Sequence, residues 1–256
     1  SDYNGSTYLY KDFATKIAEI HLLFDALGLQ KQDKVGICGR NSSNWAVAFF
    51  ATITYGAVPT SILHDFNAES IQNIVTHADA RFLFTDELIA SKIDPVQMPT
   101  VETIFILDDF SVQKCHSTSF MKAYSSWSQL FKEKYPNGFT KENVVFHDEQ
   151  PDELAVLNYT SGTTSNPKGV MIPYRSLWSN TRFAIDNIQF VKAGDGIVSM
   201  LPMAHMYGLA FEILLSIAKG CHIHFLARVP SPQIIMDAFA KVNPTLVISV
   251  PLIIEK

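Results

Sequence analysis

The feature that most constrains the fold is a regular alternation of short apolar runs with amphipathic helical runs, beginning at Lys34. Residues 34–38, 57–62 and 81–84 have the composition of buried strands, and residues 45–55 and 68–78 between them have that of helices. Strands this short and apolar suit a parallel sheet that is covered on both faces. The alternation therefore predicts an α/β fold.

A helix is predicted before this alternation. Phe13, Ile17, Ile20, Phe24 and Leu27 recur at helical spacing. Glycine readily adopts the left-handed conformation that ends helices, so Gly28 marks the predicted C-terminus.

A second alternating region follows a less regular stretch. The first region ends with a strand at 103–107, and residues 108–150 contain one helical patch, at 124–131. The second region predicts strands at 154–159, 196–200, 221–226 and 245–250, with helices at 174–188, 208–218 and 232–241. We therefore predict a first α/β subdomain with its connecting segment at residues 1–150, and a second at residues 151–256.

The loop at residues 159–170, Y-T-S-G-T-T-S-N-P-K-G-V, has the chemistry of a phosphate-binding loop. Gly162 and Gly169 allow close approach of the backbone to an anion, and Lys168 adds a compact positive charge. The neighbouring hydroxyls can supplement the backbone N–H donors; they belong to Ser161, Thr163, Thr164 and Ser165.

The spacing from Gly162 to Lys168 also fits a P-loop, but two residues do not. Pro167 removes a backbone donor before the lysine, and Gly169 stands where a P-loop has its magnesium-binding hydroxyl. Residues 170–173 are typical of a short strand, whereas a P-loop continues as a helix. The loop is therefore of a different kind.

These residues resemble the signature of the adenylate-forming family, which includes acyl-CoA synthetases, peptide-synthetase adenylation domains and luciferases. The family pattern has a glycine where this chain has Ser165. The segments 7–12, 55–59 and 201–205 extend the resemblance, which is greatest to the N-terminal part of bacterial long-chain fatty acid CoA ligases. It implies two stacked Rossmann-like α/β layers, incomplete at the C-terminus.

The resemblance implies a ligase that uses ATP, Mg²⁺ and CoA. A fatty acid carboxylate would attack the ATP α-phosphate to give acyl-AMP, and the CoA thiol would then displace AMP. In this chemistry Lys168 is a catalytic residue that stabilises phosphate charge. The residues that would bind ATP are Thr160, Ser161, Gly162, Thr163, Thr164, Ser165, Lys168 and Gly169.

A second group of candidate residues follows the predicted strand at 196–200. Ligands of parallel α/β sheets bind beyond the carboxyl ends of the strands. By resemblance, His205 would be a catalytic and substrate-binding residue beside the carboxylate, with Met206, Tyr207 and Gly208 in the acyl pocket. An imidazole can donate to a carboxylate, but a lone histidine in an apolar context is also common as a structural residue.

Two other functional interpretations, a zinc site and a serine nucleophile, are less favoured. Cys221, His222 and His224 include zinc-ligand types, but strand alternation explains their spacing and no second ligand cluster follows. Ser161 has no nucleophile-elbow sequence around it. We therefore expect no metal-ligating residues in this chain and assign Ser161 to phosphate contact.

Other family motifs are absent from these residues. The family also has a Y-G-x-[ST]-E segment, a T-G-D segment and a lysine on a mobile C-terminal domain. Residues 207–211 begin like the first, and Gly194 and Asp195 lack the preceding threonine of the second. We therefore expect the chain to be a fragment of a longer ligase and inactive alone. A peptide-synthetase-type adenylation domain and a non-catalytic nucleotide-binding module remain alternatives.

Composition limits the partners and the compartment. A net charge of −5 without a basic block argues against nucleic-acid binding. The uncharged segment 41–63 is divided by Gly56 and Pro59, which favours a core helix and strand over a transmembrane span. The 3 cysteines are widely spaced, and no signal peptide is recognisable, which predicts a cytoplasmic protein. Peripheral membrane association and oligomeric state stay open.

Overall fold

The computed structural model describes residues 1–115, 118–160, 167–226 and 231–250. The chain forms two compact units. The larger unit consists of Tyr8–Gly39 and Asn44–Tyr174, and the smaller unit of Ser1–Thr7, Arg40–Ser43 and Arg175–Lys256.

The larger unit contains a seven-stranded sheet in the order β5-β4-β3-β1-β2-β6-β7. Its strands are β1 Lys34–Cys38, β2 Val58–Ile62, β3 Ala80–Thr85, β4 Thr103–Ile106, β5 Val112–Cys115, β6 Leu154–Thr160 and β7 Lys168–Pro173. The central pairs are parallel, whereas β5 and β7 run antiparallel to their neighbours at the two edges.

The helices of this unit are α1 Tyr10–Leu27, α2 Ser43–Tyr55, α3 Ala68–His77, α4 Glu87–Ala90, α5 Thr118–Ser125 and α6 Trp127–Lys134, with 3₁₀ turns at Pro95–Gln97 and Lys141–Asn143. The predicted end of α1 is confirmed, because Gly28 has a φ of 66° and caps the helix. The uncharged segment forms α2 and β2, as predicted.

The two faces of the sheet are covered by different helices. Phe24 of α1 stacks on Phe82 of β3, with 6.0 Å between ring centroids. Leu83, the next residue of β3, packs in a cluster with Ile74 of α3. Because successive strand residues point to opposite faces, α1 and α3 cover opposite faces of the sheet.

The smaller unit contains a parallel pair of strands and a broken helix. Its elements are α7 Tyr174–Asn187, β8 Gly196–Ser199, α8 Met206–Gly208, a π-helical stretch Leu209–Leu214, α9 Leu215–Lys219, β9 His222–Phe225 and α10 Pro232–Val242. Ser231 caps α10 by accepting from the Ile234 N–H at 3.3 Å, with proline at the first helical position. Val198 and Ala238 lie in one buried cluster, so α10 packs on β8.

The α/β class is confirmed, but strand assignment differs from the prediction in three places. β6 pairs with β2, so the strand after residue 150 completes the first sheet and the division falls near Arg175. The alternation of strand and helix identifies a parallel strand without specifying its partner. β5 was not predicted, since it is a short edge strand with polar residues.

The third difference concerns the predicted strand at 245–250. Only Leu246 pairs there, in an isolated bridge with Ile197. The rest of the segment, as far as residue 250, makes no ladder among the described residues. β8 already has β9 on its other side, and no further strand continues the pairing of Leu246 in the described ranges.

Candidate functional site

The predicted site residues fall into two groups, one in each unit. Thr160, Lys168 and Gly169 belong to the larger unit, and His205 to Gly208 belong to the smaller one. The predicted phosphate-binding residues Ser161, Gly162, Thr163, Thr164 and Ser165 lie outside the described residues.

The ends of the predicted phosphate loop are held together by the β6–β7 hairpin. Thr160 is the pairing partner of Lys168, and Tyr159 that of Gly169. The loop therefore leaves and re-enters the sheet at one point, between the last residue of β6 and the first residue of β7. Antiparallel strands that follow one another in the chain can be joined directly by such a loop.

The two residues at the hairpin end are both exposed. No salt bridge joins Lys168 to another described residue. The Lys168 side chain is exposed, and Thr160 lies opposite it on the paired strand. A lysine in this position can act as a point charge for phosphate.

Gly169 packs closely against the tyrosine that precedes the loop. A Cβ atom at Gly169 would lie 3.2 Å from Cζ and 3.3 Å from Oη of Tyr159. The Tyr159 ring is 2% exposed, so it packs tightly across the second strand of the hairpin. Glycine at 169 therefore serves close packing within the hairpin.

The same tyrosine links the hairpin to α3. Its hydroxyl forms a hydrogen bond of 2.6 Å with Nδ1 of His77. Burial raises the pKa of Tyr159, which keeps the hydroxyl protonated and able to donate. His77 is the last residue of α3. No sequence motif indicates this link, because the two residues are 82 positions apart.

The second group of residues forms the turn after β8. His205 caps α8: its Nδ1 accepts from the Tyr207 backbone N–H at 3.2 Å. Since Nδ1 is the acceptor, the ring proton is on Nε2. His205 is exposed, and an Nε2–H group can donate to a carboxylate oxygen.

The neighbours of His205 differ in their exposure. Tyr207 is 40% exposed and its ring lies 5.2 Å from that of Phe211. Met206 is partly buried and Met203 is buried, so both add apolar, adaptable side chains to the turn. Gly208 is buried, and a Cβ atom there would lie 2.7 Å from the Pro202 carbonyl oxygen. Gly208 therefore allows close packing of the turn.

A buried carboxylate lies beneath this turn and was not recognised from the sequence. Glu212 is 0% exposed and accepts hydrogen bonds from the Ser199 hydroxyl and from the backbone of Met200 and Leu201. Burial raises the pKa of Glu212 to about 8, against the lowering effect of those hydrogen bonds. No sequence motif marks Glu212, and its place in a π-helical stretch beside the turn is visible only in the structure.

The segment 221–225 behaves as an ordinary strand. Cys221, Ile223 and Phe225 are buried, His222 is exposed and His224 is partly buried, as the alternation predicted. Within the described ranges, no group of three His, Cys, Asp or Glu residues is arranged to hold a metal ion. None of the cysteines forms a disulfide among these residues. In the same part of the chain, no helix is long and apolar enough to cross a membrane.

The sequence profile of one protein family, described as AMP-binding enzyme, matches residues 2–256. Two curated relatives are long-chain-fatty-acid–CoA ligases. Heimdall of Drosophila melanogaster is 22% identical over 257 residues, which is 98% of this chain and 37% of that protein. ACSBG2 of Homo sapiens is 26% identical over 231 residues, which is 90% of this chain and 34% of that protein. The chain thus spans about a third of the length of these relatives.

Solved structures share the fold. ATP-bound MatB from Rhodopseudomonas palustris superimposes with a TM-score of 0.76 at 22% identity, over 97% of this chain and 45% of that one. The long-chain-fatty-acid-CoA ligase FadD1 from Archaeoglobus fulgidus gives a TM-score of 0.74 at 18% identity, over 96% of this chain and 45% of that one. At these identities the likeness establishes the fold.

Proposed function

The chain belongs to the AMP-binding enzyme family, and from this we propose that it is part of an AMP-forming ligase that joins a long-chain fatty acid to CoA. The names of the curated relatives support the fatty acid and CoA as substrates. The observation that carries the proposal is the β6–β7 hairpin, in which Lys168 lies opposite Thr160 at the two ends of the predicted phosphate loop.

The proposed reaction has two steps. A carboxylate oxygen forms a bond to the ATP α-phosphorus, and the bond from that phosphorus to the bridging oxygen breaks, so pyrophosphate leaves. The CoA sulfur then forms a bond to the acyl carbonyl carbon, the bond to the AMP oxygen breaks, and the thiol proton is released. Both steps move negative charge onto phosphate oxygens, which a nearby cation stabilises.

Each group of residues has a part in this proposal. Lys168 and Thr160, with the loop residues 161–165, would hold the β- and γ-phosphates and the pyrophosphate that leaves. His205 would donate its Nε2 proton as a hydrogen bond to the fatty acid carboxylate, while Met206 and Tyr207 border the acyl chain. Of these residues, Thr160, Lys168, His205 and Tyr207 are exposed and Met206 is partly exposed.

Magnesium would screen the phosphate charge when it is bound with ATP. The Thr160 hydroxyl and the Lys168 ammonium group fit a phosphate. We propose no residue of the described ranges as a ligand of the ion. A cytoplasmic location is part of the same proposal and is supported by the lack of disulfides among the described cysteines.

The test is ATP–pyrophosphate exchange by the full-length protein with a panel of carboxylic acids. We expect exchange that depends on long-chain fatty acids, followed by acyl-CoA formation when CoA is added. Lys168→Ala is the matched negative control. Exchange supported by amino acids and not by fatty acids would instead indicate a peptide-synthetase-type adenylation domain. ATP binding without exchange by any acid would indicate a non-catalytic module.

A further inference from the structure

The backbone that follows β8 is held by side chains where a neighbouring strand would otherwise hold it. β8 pairs with β9 through Ser199, and the pairing ends there. The next residues, Met200 and Leu201, are buried, so their backbone N–H groups need partners inside the protein.

Glu212 provides those partners from one side. Its Oε1 accepts from the Met200 N–H at 3.3 Å and from the Leu201 N–H at 3.2 Å. Its Oε2 accepts from the Ser199 hydroxyl at 2.9 Å and also lies 3.2 Å from the Leu201 nitrogen. One carboxylate thus satisfies consecutive backbone donors and the last side chain of the strand.

Asn41 holds the same segment from the other side. Its Nδ2 donates to the Leu201 carbonyl at 2.7 Å and to the Ser199 hydroxyl at 3.3 Å, and its Oδ1 accepts from the Met203 N–H at 3.0 Å. Asn41 is 6% exposed. Its amide therefore pairs with a donor and an acceptor of one backbone segment, as a neighbouring strand does.

These contacts lead directly to His205. The His205 N–H donates to the Pro202 carbonyl at 2.9 Å, and Gly208 packs against the same carbonyl. Every residue from Ser199 to Met203 except Pro202 is therefore bonded to Asn41 or Glu212, and Pro202 is bonded to the histidine. The position of the His205 backbone depends on this chain of contacts.

We propose that Glu212 and Asn41 are positioning residues, which fix the backbone at 199–203 and thereby the placement of the His205 imidazole for a carboxylate substrate. Neither residue touches the substrate in this proposal. It rests on the proposed function only in assigning the carboxylate to His205. A glutamate side chain is rarely buried to this extent without hydrogen-bond partners, since removing its polar atoms from water is costly.

The experiment compares Glu212→Leu, Glu212→Gln and Asn41→Ala in the full-length protein. Ile213→Ala is the matched control, because Ile213 is also 0% exposed on the same helical stretch and loses packing without losing a bond to residues 199–203. Glutamine retains an acceptor for the Leu201 N–H and can donate to the Ser199 hydroxyl, so it should rescue most of the effect.

We expect Glu212→Leu and Asn41→Ala to raise the KM for fatty acid about tenfold, since they leave buried backbone groups unpaired. The KM for ATP should change less than about twofold, and Glu212→Gln should stay within about threefold of the wild type. Ile213→Ala should lower the melting temperature without changing the KM for fatty acid relative to the KM for ATP. Equal changes in both KM values, or no change in the fatty acid KM, would overturn the proposal.

Hydrogen exchange at the amides of residues 200–203 provides a readout that does not need activity. We expect exchange there to accelerate about tenfold or more in Glu212→Leu, if it folds, and in Asn41→Ala, but not in Ile213→Ala. If the wild type does not activate fatty acids, the proposed function fails while this comparison still decides whether the two residues fix the segment. Unchanged exchange in a folded variant would overturn the positioning role.

Discussion

The two groups of site residues are held in place in opposite ways. At the β6–β7 hairpin, Thr160 and Lys168 are paired by backbone bonds between strands that are close in sequence. At the turn after β8, the backbone is held by Glu212 and by Asn41, which is 160 positions from Leu201. The backbone pairing that holds the hairpin lies within its sequence motif, whereas the distant side chains that hold the turn stand in no motif.

The largest effect should come from removing the exposed charge of the hairpin. Lys168→Ala in the full-length protein should lower fatty-acid-dependent pyrophosphate exchange about 100-fold or more, because the proposed role of the lysine is to stabilise phosphate charge in the transition state. Its melting temperature should stay close to that of the wild type, since an exposed lysine contributes little packing. Lys192→Ala, at another exposed lysine, is the control and should leave both quantities unchanged. A large decrease in the melting temperature of Lys168→Ala would show that the residue is structural.

The next effect concerns the close packing of the turn. In Gly208→Ala the new methyl group would lie 2.7 Å from the Pro202 carbonyl, so the backbone must move. We expect a loss of about 1–3 kcal/mol in the free energy of unfolding and a higher KM for fatty acid, with the KM for ATP nearly constant. Chemical denaturation and separate substrate titrations measure the two. A rise in the ATP KM alone would assign the turn to the other substrate.

The buried carboxylate beneath the turn predicts a pH dependence of stability. The pKa of Glu212 is about 8 in the folded state and ordinarily 4.5. Between these values the folded state retains a proton that the unfolded state has lost, so stability falls as pH rises and levels off above the folded pKa. The contribution to the slope is at most about 1.4 kcal/mol per pH unit.

Glu212→Gln should remove this contribution, because glutamine does not titrate. Urea unfolding of both proteins from about pH 5 to about pH 9 measures the difference. If the free energy of unfolding depends on pH in the same way in the wild type and the variant, Glu212 stays ionised across the range. Its hydrogen bonds would then lower its pKa by more than burial raises it.

The smallest effect is expected at the base of the hairpin. Tyr159→Phe removes the bond to His77 and should cost about 1 kcal/mol of stability. Tyr124→Phe is the matched control, since its hydroxyl donates to the Phe110 carbonyl away from the hairpin. Amide exchange at residues 168–170 should accelerate in Tyr159→Phe and not in the control. Equal protection of these amides in the two variants would show that the bond between Tyr159 and His77 does not support the hairpin.

The parts of the fold that were predictable depend on local chemistry. The end of α1 follows from the conformational freedom of Gly28, and α3 from its cap Asn67, whose side chain accepts from the Ser70 N–H at 2.8 Å. Partner choice between strands depends on the whole fold. The sequence therefore identified β6 as a strand but placed it in a second sheet, whereas it pairs with β2.

The same distinction applies to the candidate site. Lys168 and His205 stand in motifs whose spacing indicates their chemistry. Asn41 and Glu212 stand in no recognisable motif, and Glu212 in an otherwise apolar helix suggested nothing specific from sequence. Their contacts appear only when residues far apart in the chain are folded together. The prediction of a strand at 245–250 was wrong for a related reason. Apolar residues can be buried without pairing in a sheet, so their pattern alone does not specify a strand.

Photoaffinity labelling of the full-length protein tests the division of the site most directly. One probe is an ATP analogue with its reactive group on the γ-phosphate, and the other is a fatty acid with a diazirine close to its carboxylate. The proposed function predicts that the ATP probe labels peptides covering residues 160–169 and the fatty acid probe labels peptides covering 201–208, with each label suppressed by the unmodified substrate. Labelling of 160–169 by the fatty acid probe, with none at 201–208, would contradict it.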